Sequence, residues 1–125
     1  MGVKHMTELS ELIEGILRFR DERDWKKYHT PKNLIISLLI ELGELSEHFQ
    51  WKTNKEILQS IYDERTKEKI AEELADVAIY LLLLTNELGI NLEEAILKKI
   101  KKNEEKYPVD KVKGRYVKYT ELIEQ

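Results

Sequence analysis

The chain has 125 residues, no cysteine, and a formal net charge of −3 from 21 basic and 24 acidic side chains. That length suits one domain with a real core, and the missing thiols exclude disulfides and cysteine-based zinc sites and fit a reducing cytoplasm. Mild acidity argues against nucleic acid as a partner, and the longest uncharged run falls far short of the ~18 apolar residues that suggest a membrane span.

The opening MGVKHM lacks the apolar segment of a secretory signal, and residues 1–6 read as a leader. A first helix is expected from Thr7, as N-cap, to about Asp24. Leu9, Leu12, Ile13, Ile16, Leu17 and Arg20 follow its 3–4 spacing as one stripe. Trp25 to Asn33 breaks that pattern. Thr30-Pro31 then signals a second helix running to about Trp51, with Thr as cap and Pro at the first helical position. Residues 52–65 read as a polar connection holding one short helix. The third helix is expected over roughly 66–88, stopping at Gly89. Asn91, with Glu94 three residues on, resembles a capping box and opens a fourth helix to about Lys106, ended by Pro108. Its apolar set is Leu92, Ala95, Ile96 and Ile100, a narrow stripe. This predicts an all-α, four-helix-bundle-type domain over 7–107 and an extended or partner-docked tail over 108–125.

Two stretches stand apart from ordinary amphipathic helices. In LIISLLIELGEL, residues 34–45, Glu41 and Glu44 are the only charges among twelve residues. In ELADVAIYLLLLTN, residues 73–86, Glu73 and Asp76 precede ten uncharged residues, Val77 to Asn86. Such helices have almost no polar face, so the carboxylates are expected to point into the protein or a cleft. A spacing of three puts each pair on one side of its helix, about 60° apart around the axis. Four facing carboxylates repel and are costly to desolvate, so a cation is expected between them. An all-oxygen donor set favours Mg²⁺, with Mn²⁺ as the alternative. A di-iron site wants Glu-x-x-His on two helices, and neither His29 nor His48 stands three after a Glu. The bland alternative is a set of structural ion pairs.

Mg²⁺ on an open carboxylate cluster commonly shares its remaining positions with phosphate oxygens, which points to a polyphosphate ligand. Lys98, Lys99, Lys101, Lys102 and Lys106 on the fourth helix could flank it, or could simply solvate an exposed face. Asn103 lies one turn after Lys99 on the same side. Trp25, Trp51 and Tyr80 could hold a nucleobase, although a tryptophan at a helix end also serves as a core plug. His29 either reads a base edge or caps its loop. The second and third helices are too apolar to be covered in a monomer, so self-association as a homo-oligomer is expected.

These residues resemble a known family. Glu41-x-x-Glu44 followed by Glu73-x-x-Asp76 is similar to the motif of the MazG-like all-α nucleoside triphosphate pyrophosphohydrolases. FRDERDWKKYHTPKNL, ELGELSEHFQWK, EELADVAIYLLLL, KKNEEKYPV and VKYTEL resemble its dCTP pyrophosphatase branch, from about Leu9 to Leu122. The resemblance implies a helical bundle assembled as a dimer or tetramer. It implies hydrolysis of a dNTP, such as dCTP or a modified dCTP, to dNMP and pyrophosphate, in nucleotide-pool cleaning. It implies that Glu41, Glu44, Glu73 and Asp76 bind Mg²⁺. Trp25, His29, Trp51 and Tyr80 would line the base and sugar pocket, and Lys99, Asn103, Lys106 and Tyr107 would contact phosphate or sugar. Glu41 and Glu44 are the candidate catalytic bases, with Glu47 as a further one. A non-catalytic dimerisation module, and the same fold acting on dUTP or phosphoribosyl-ATP, are the competing readings.

Overall fold

A computed structural model describes residues 8–123, and within that range the chain is all-α, with no strand. The leader assigned to residues 1–6 and the expected cap Thr7 lie outside the described residues. The elements are α1 Leu9–Glu22, a 3₁₀ turn Lys26–Tyr28, α2 Pro31–Glu47, α3 Asn54–Ser60, α4 Glu64–Glu87, α5 Leu92–Lys106, α6 Val109–Val112 and α7 Tyr119–Ile123. They form two compact units that divide between Ile90 and Asn91.

In the first unit α4 is the central element. It packs extensively along α2 and more lightly against α1. His48, the C-cap of α2, meets Glu73 on α4, and Glu41, two turns earlier, faces Asp76, so the two helices run antiparallel. The buried apolar side chains of this unit are Leu34 and Leu45 on α2 and Ile70, Leu82 and Leu83 on α4. Both ends of α2 follow local chemistry. Thr30 Oγ1 accepts from the Asn33 backbone N–H at 3.2 Å, and Pro31 sits at the first helical position. The helix stops at Glu47, four residues short of the expected end at Trp51, because His48 to Gln50 close it with turns and Trp51 adopts a φ of 71°. A left-handed backbone at a bulky residue is uncommon. On α1 the first cap is Glu8, without a side-chain cap bond, and the helix ends at Glu22, two residues before the expected Asp24. Gly89, at φ 67°, follows the C-cap of α4 as expected.

The second unit begins with α5, where Asn91 Oδ1 accepts from the Glu94 N–H at 3.1 Å. No residue of α5 is buried. Ile96 and Ile100, expected to form an apolar stripe, are about half exposed. The segment after Pro108 is not extended. Pro108 caps α6, Tyr119 opens α7, and Leu122 is buried at 5% exposure. Tyr119 packs edge-on against Tyr107, with ring centroids 6.3 Å apart. The short, weakly periodic segment hid these two helices from a pattern reading.

Candidate nucleotide and metal site

The acidic motif converges where α2 crosses α4. Glu41 is pushed above the ordinary carboxylate range, first by burial and then by the charges of Glu44, Asp76 and Glu73. Glu41 therefore feels the other three carboxylates, as two E-x-x-E/D pairs on facing helices predict. Glu41 and Glu73 are half-buried, whereas Glu44 and Asp76 are exposed. The expectation that all four point inward therefore holds only in part, because the outer faces of α2 and α4 are themselves apolar and uncovered. Leu39 is 68% exposed and Ile40 56%. The cluster sits at the edge of the helix pair.

His48 is the neighbour that a reading of the carboxylate motif alone passed over. Its Nε2 lies 2.6 Å from Glu73 Oε2. The approach lacks hydrogen-bond alignment, and the oxygen is buried without a bonded partner. Among the described residues, no three His, Asp or Glu side chains converge closely enough to grip a metal ion as they stand. The donor set nonetheless suits a hard cation. All its oxygens are carboxylate, one of them is buried without a hydrogen-bond partner, and burial first, then the neighbouring carboxylates, raise the pKa of Glu41. His48 follows Glu44 by one turn, at the C-cap of α2, and only the packing of α2 on α4 brings it to Glu73.

A cavity of about 570 Å³ opens between α1 and α4, within the usual range for small-ligand sites. Its walls bring together Trp25, His29, Tyr80 and the cluster residue Asp76. Trp25 is seated by its backbone N–H, which donates to the Arg20 carbonyl at 3.1 Å, and by its ring, edge-on to Phe19 at 5.8 Å. The 3₁₀ turn carries the chain on to His29, whose N–H donates to the Lys26 carbonyl at 3.0 Å. His29 Nδ1 is buried with no bonded partner. Burial first, and Arg20 second, lower the pKa of the imidazole, with Glu87 opposing them, so the ring favours its neutral form. Leu12, Ile16, Ile79 and Leu83 supply apolar wall.

Trp51 is not part of this cavity. It is 92% exposed on its left-handed backbone. Lys99, Asn103, Lys106 and Tyr107 belong to the second unit. There Lys99 is exposed and Asn103 half-buried. Lys106 Nζ lies 5.3 Å from the centroid of the Tyr119 ring, and Tyr107 closes α5 by donating its N–H to the Asn103 carbonyl at 2.8 Å. Arg20, expected on the stripe of α1, is also a wall residue. A charged side chain on an apolar stripe was the signal.

Residues 36–122 match the MazG-like family. The chain belongs to that family. It is 40% identical over 104 residues to dCTP pyrophosphatase 1 of Bos taurus, covering 83% of this chain and 62% of that protein. It is 41% identical to the Homo sapiens protein of the same name, over 83% of this chain and 61% of that one. The chain thus spans about three fifths of the curated relatives it matches. The crystal structure of a pyrophosphatase from Archaeoglobus fulgidus DSM 4304 superposes with a TM-score of 0.74 at 46% identity, over 86% of this chain and 99% of that one. The all-α MazG-like fold expected from the carboxylate motif and its flanking segments is therefore the fold observed.

Proposed function

We propose that this chain is a Mg²⁺-dependent nucleoside triphosphate pyrophosphohydrolase that converts a dNTP, with dCTP or a modified dCTP as the expected substrate, to dNMP and pyrophosphate. The observation that carries the reading is the cavity that places Asp76 of the acidic cluster in the same walls as Trp25, His29 and Tyr80. The MazG-like family, the relatives named dCTP pyrophosphatase 1 and the Archaeoglobus pyrophosphatase support it.

In this reading Glu41, Glu44, Glu73 and Asp76 hold the cation, with Mn²⁺ as a substitute. Bound there, Mg²⁺ supplies charge neutralisation for phosphate oxygens and a more acidic water. The chain's own groups do the rest. Trp25 and Tyr80 offer aromatic faces to a base, and His29 offers a polar edge. A water oxygen bonds to the α-phosphorus as the α–β phosphoanhydride bond breaks. Pyrophosphate leaves, and the water's proton passes to a carboxylate. Glu41 is placed for that role by its position among the other three carboxylates. Glu44 is the neighbouring alternative. Lys99, Asn103, Lys106 and Tyr107 remain the proposed phosphate and sugar contacts.

The uncovered faces of α2 and α4, with Leu39, Ile40 and Leu74 more than half exposed, support self-association as a dimer or tetramer. None of the helices, among the described residues, is long and apolar enough to cross a membrane. We place the activity in the cytoplasm, in cleaning of the nucleotide pool.

The test is turnover with Mg²⁺ across the four dNTPs, 5-substituted dCTPs and NTPs, beside Glu41→Gln. Monophosphate plus pyrophosphate from a subset, lost in the variant, is expected. Diphosphate plus phosphate, or no turnover with no Mg²⁺ effect on melting, overturns the proposal.

A further inference from the structure

α1 ends in a turn that delivers Trp25 to the cavity wall. The Asp24 N–H donates to the Asp21 carbonyl and the Trp25 N–H to the Arg20 carbonyl, both at 3.1 Å, and Asp24 takes a left-handed backbone at φ 54°. This is the Schellman pattern, with an aspartate in the place that glycine usually holds. A short polar side chain tolerates that backbone better than a bulky one. Lys27 Nζ donates to Asp24 Oδ2 at 3.0 Å across the turn. The pattern sets the residue after the left-handed position against the last turns of the helix. Here it sets Trp25 against Phe19, edge-on, with ring centroids 5.8 Å apart and planes at 74°.

That contact alone does not fix the indole. Phe19 is 52% exposed and Trp25 43%, too open for packing to lock either ring. Arg23 supplies the missing support. Its Nη1 donates to the Phe19 carbonyl at 3.0 Å, and its guanidinium carbon lies 3.7 Å from the centroid of the Phe19 ring. At that distance the planar group covers one face of the ring, a cation–π contact anchored by a hydrogen bond one turn back. The ion pair of Arg23 with Glu22, at 4.0 Å between two exposed side chains, is too weak to draw it away. Phe19 and Trp25 are both wall residues of the cavity, whereas Arg23 stands behind them.

We propose that Arg23 is a positioning residue, which clamps Phe19 and through it holds the Trp25 indole ordered in the cavity wall before a ligand arrives. This rests on the nucleotide reading of the cavity, in which Trp25 stacks on a base. Ordering a side chain on binding costs affinity, and an indole already held spares the complex that cost.

The chain has two tryptophans, so protein labelled with 5-fluorotryptophan gives two ¹⁹F resonances, assigned with Trp51→Phe. Arg23→Met keeps an unbranched stem without the guanidinium, and Arg23→Lys keeps the charge without the planar group. The Arg23 side chain is 43% exposed, so both variants are expected to fold. In ligand-free protein the Trp25 resonance is expected to shift or broaden in both variants while that of Trp51 stays in place. Titration with dCMP, followed on the Trp25 resonance, is expected to show binding about three- to tenfold weaker than in the wild type. A merely structural role would lower the melting temperature and leave the Trp25 resonance and the affinity where they were. An unmoved Trp25 resonance, or a moved one with unchanged affinity, therefore overturns the positioning role alone. A wild type in which dCMP perturbs neither tryptophan overturns the nucleotide reading of the cavity, and this proposal with it.

Discussion

Two neighbouring regions of the first unit handle buried charge in opposite ways. Where α2 crosses α4, Glu41, Glu44, Glu73 and Asp76 are gathered with no lysine or arginine among them, and burial first, then the neighbouring carboxylates, raise the pKa of Glu41. In the cavity between α1 and α4, Arg20 is matched by Glu87 and Asp21. The first region carries carboxylates that no lysine or arginine offsets, and in the proposed function a cation from outside offsets them. The second is complete and has only hydrogen-bonding capacity to spare. The proposed function, with a triphosphate at one end and an uncharged base at the other, would use both.

The comparison breaks most directly at the acidic end. Asp76→Asn is expected to lower turnover on the order of 10²-fold or more, the scale for losing a group that stabilises developing charge. Wild-type activity retained at saturating substrate would remove Asp76 from the site. At the paired end, Glu87→Gln leaves the buried Arg20 without one of its two charged acceptors. It is expected to cost about 2 kcal/mol of stability in denaturant titration, with the Mg²⁺ requirement unchanged. A neutral effect would mean that Asp21 alone compensates the guanidinium.

The two regions also predict opposite pH slopes in metal-free protein. Glu41 has a folded pKa above its ordinary 4.5, so the folded state binds the extra proton. Its contribution is therefore fully present below 4.5 and lost as pH rises through the raised value. Added Mg²⁺ should flatten that fall, and Glu41→Gln should remove it. His29 has a folded pKa below 6.5, so the unfolded state binds the proton more readily. Its contribution is present above 6.5 and lost as pH falls toward the lowered value. This is the smallest expected effect, and it is checked by melting wild type and His29→Gln between pH 5 and 8. An acid-side loss that persists in the variant would assign it to another group.

The fold was legible because its strongest signals are local. Thr30-Pro31, Gly89 and the Asn91–Glu94 pair each set a helix end where the structure has one. The acidic motif was legible because charge inside an apolar run is conspicuous at a spacing of three. What escaped was tertiary. Nothing in the order of residues sets Glu73 against His48, since that contact depends on the register of α2 on α4. Arg20 was hidden by its fit to the helical period, which places a side chain on a face without saying whether it is paired there. Trp25 and Trp51 looked alike at the two ends of α2. Only the backbone distinguishes them, with one seated on Phe19 and the other held outward at positive φ.

The most direct test of the central claim is hydrolysis of dCTP in H₂¹⁸O with Mg²⁺, followed by mass analysis of both products. Attack at the α-phosphorus predicts ¹⁸O in dCMP and none in pyrophosphate. Label in pyrophosphate, or label in free phosphate with dCDP as the partner product, would contradict the account of how this cluster and this cavity act together.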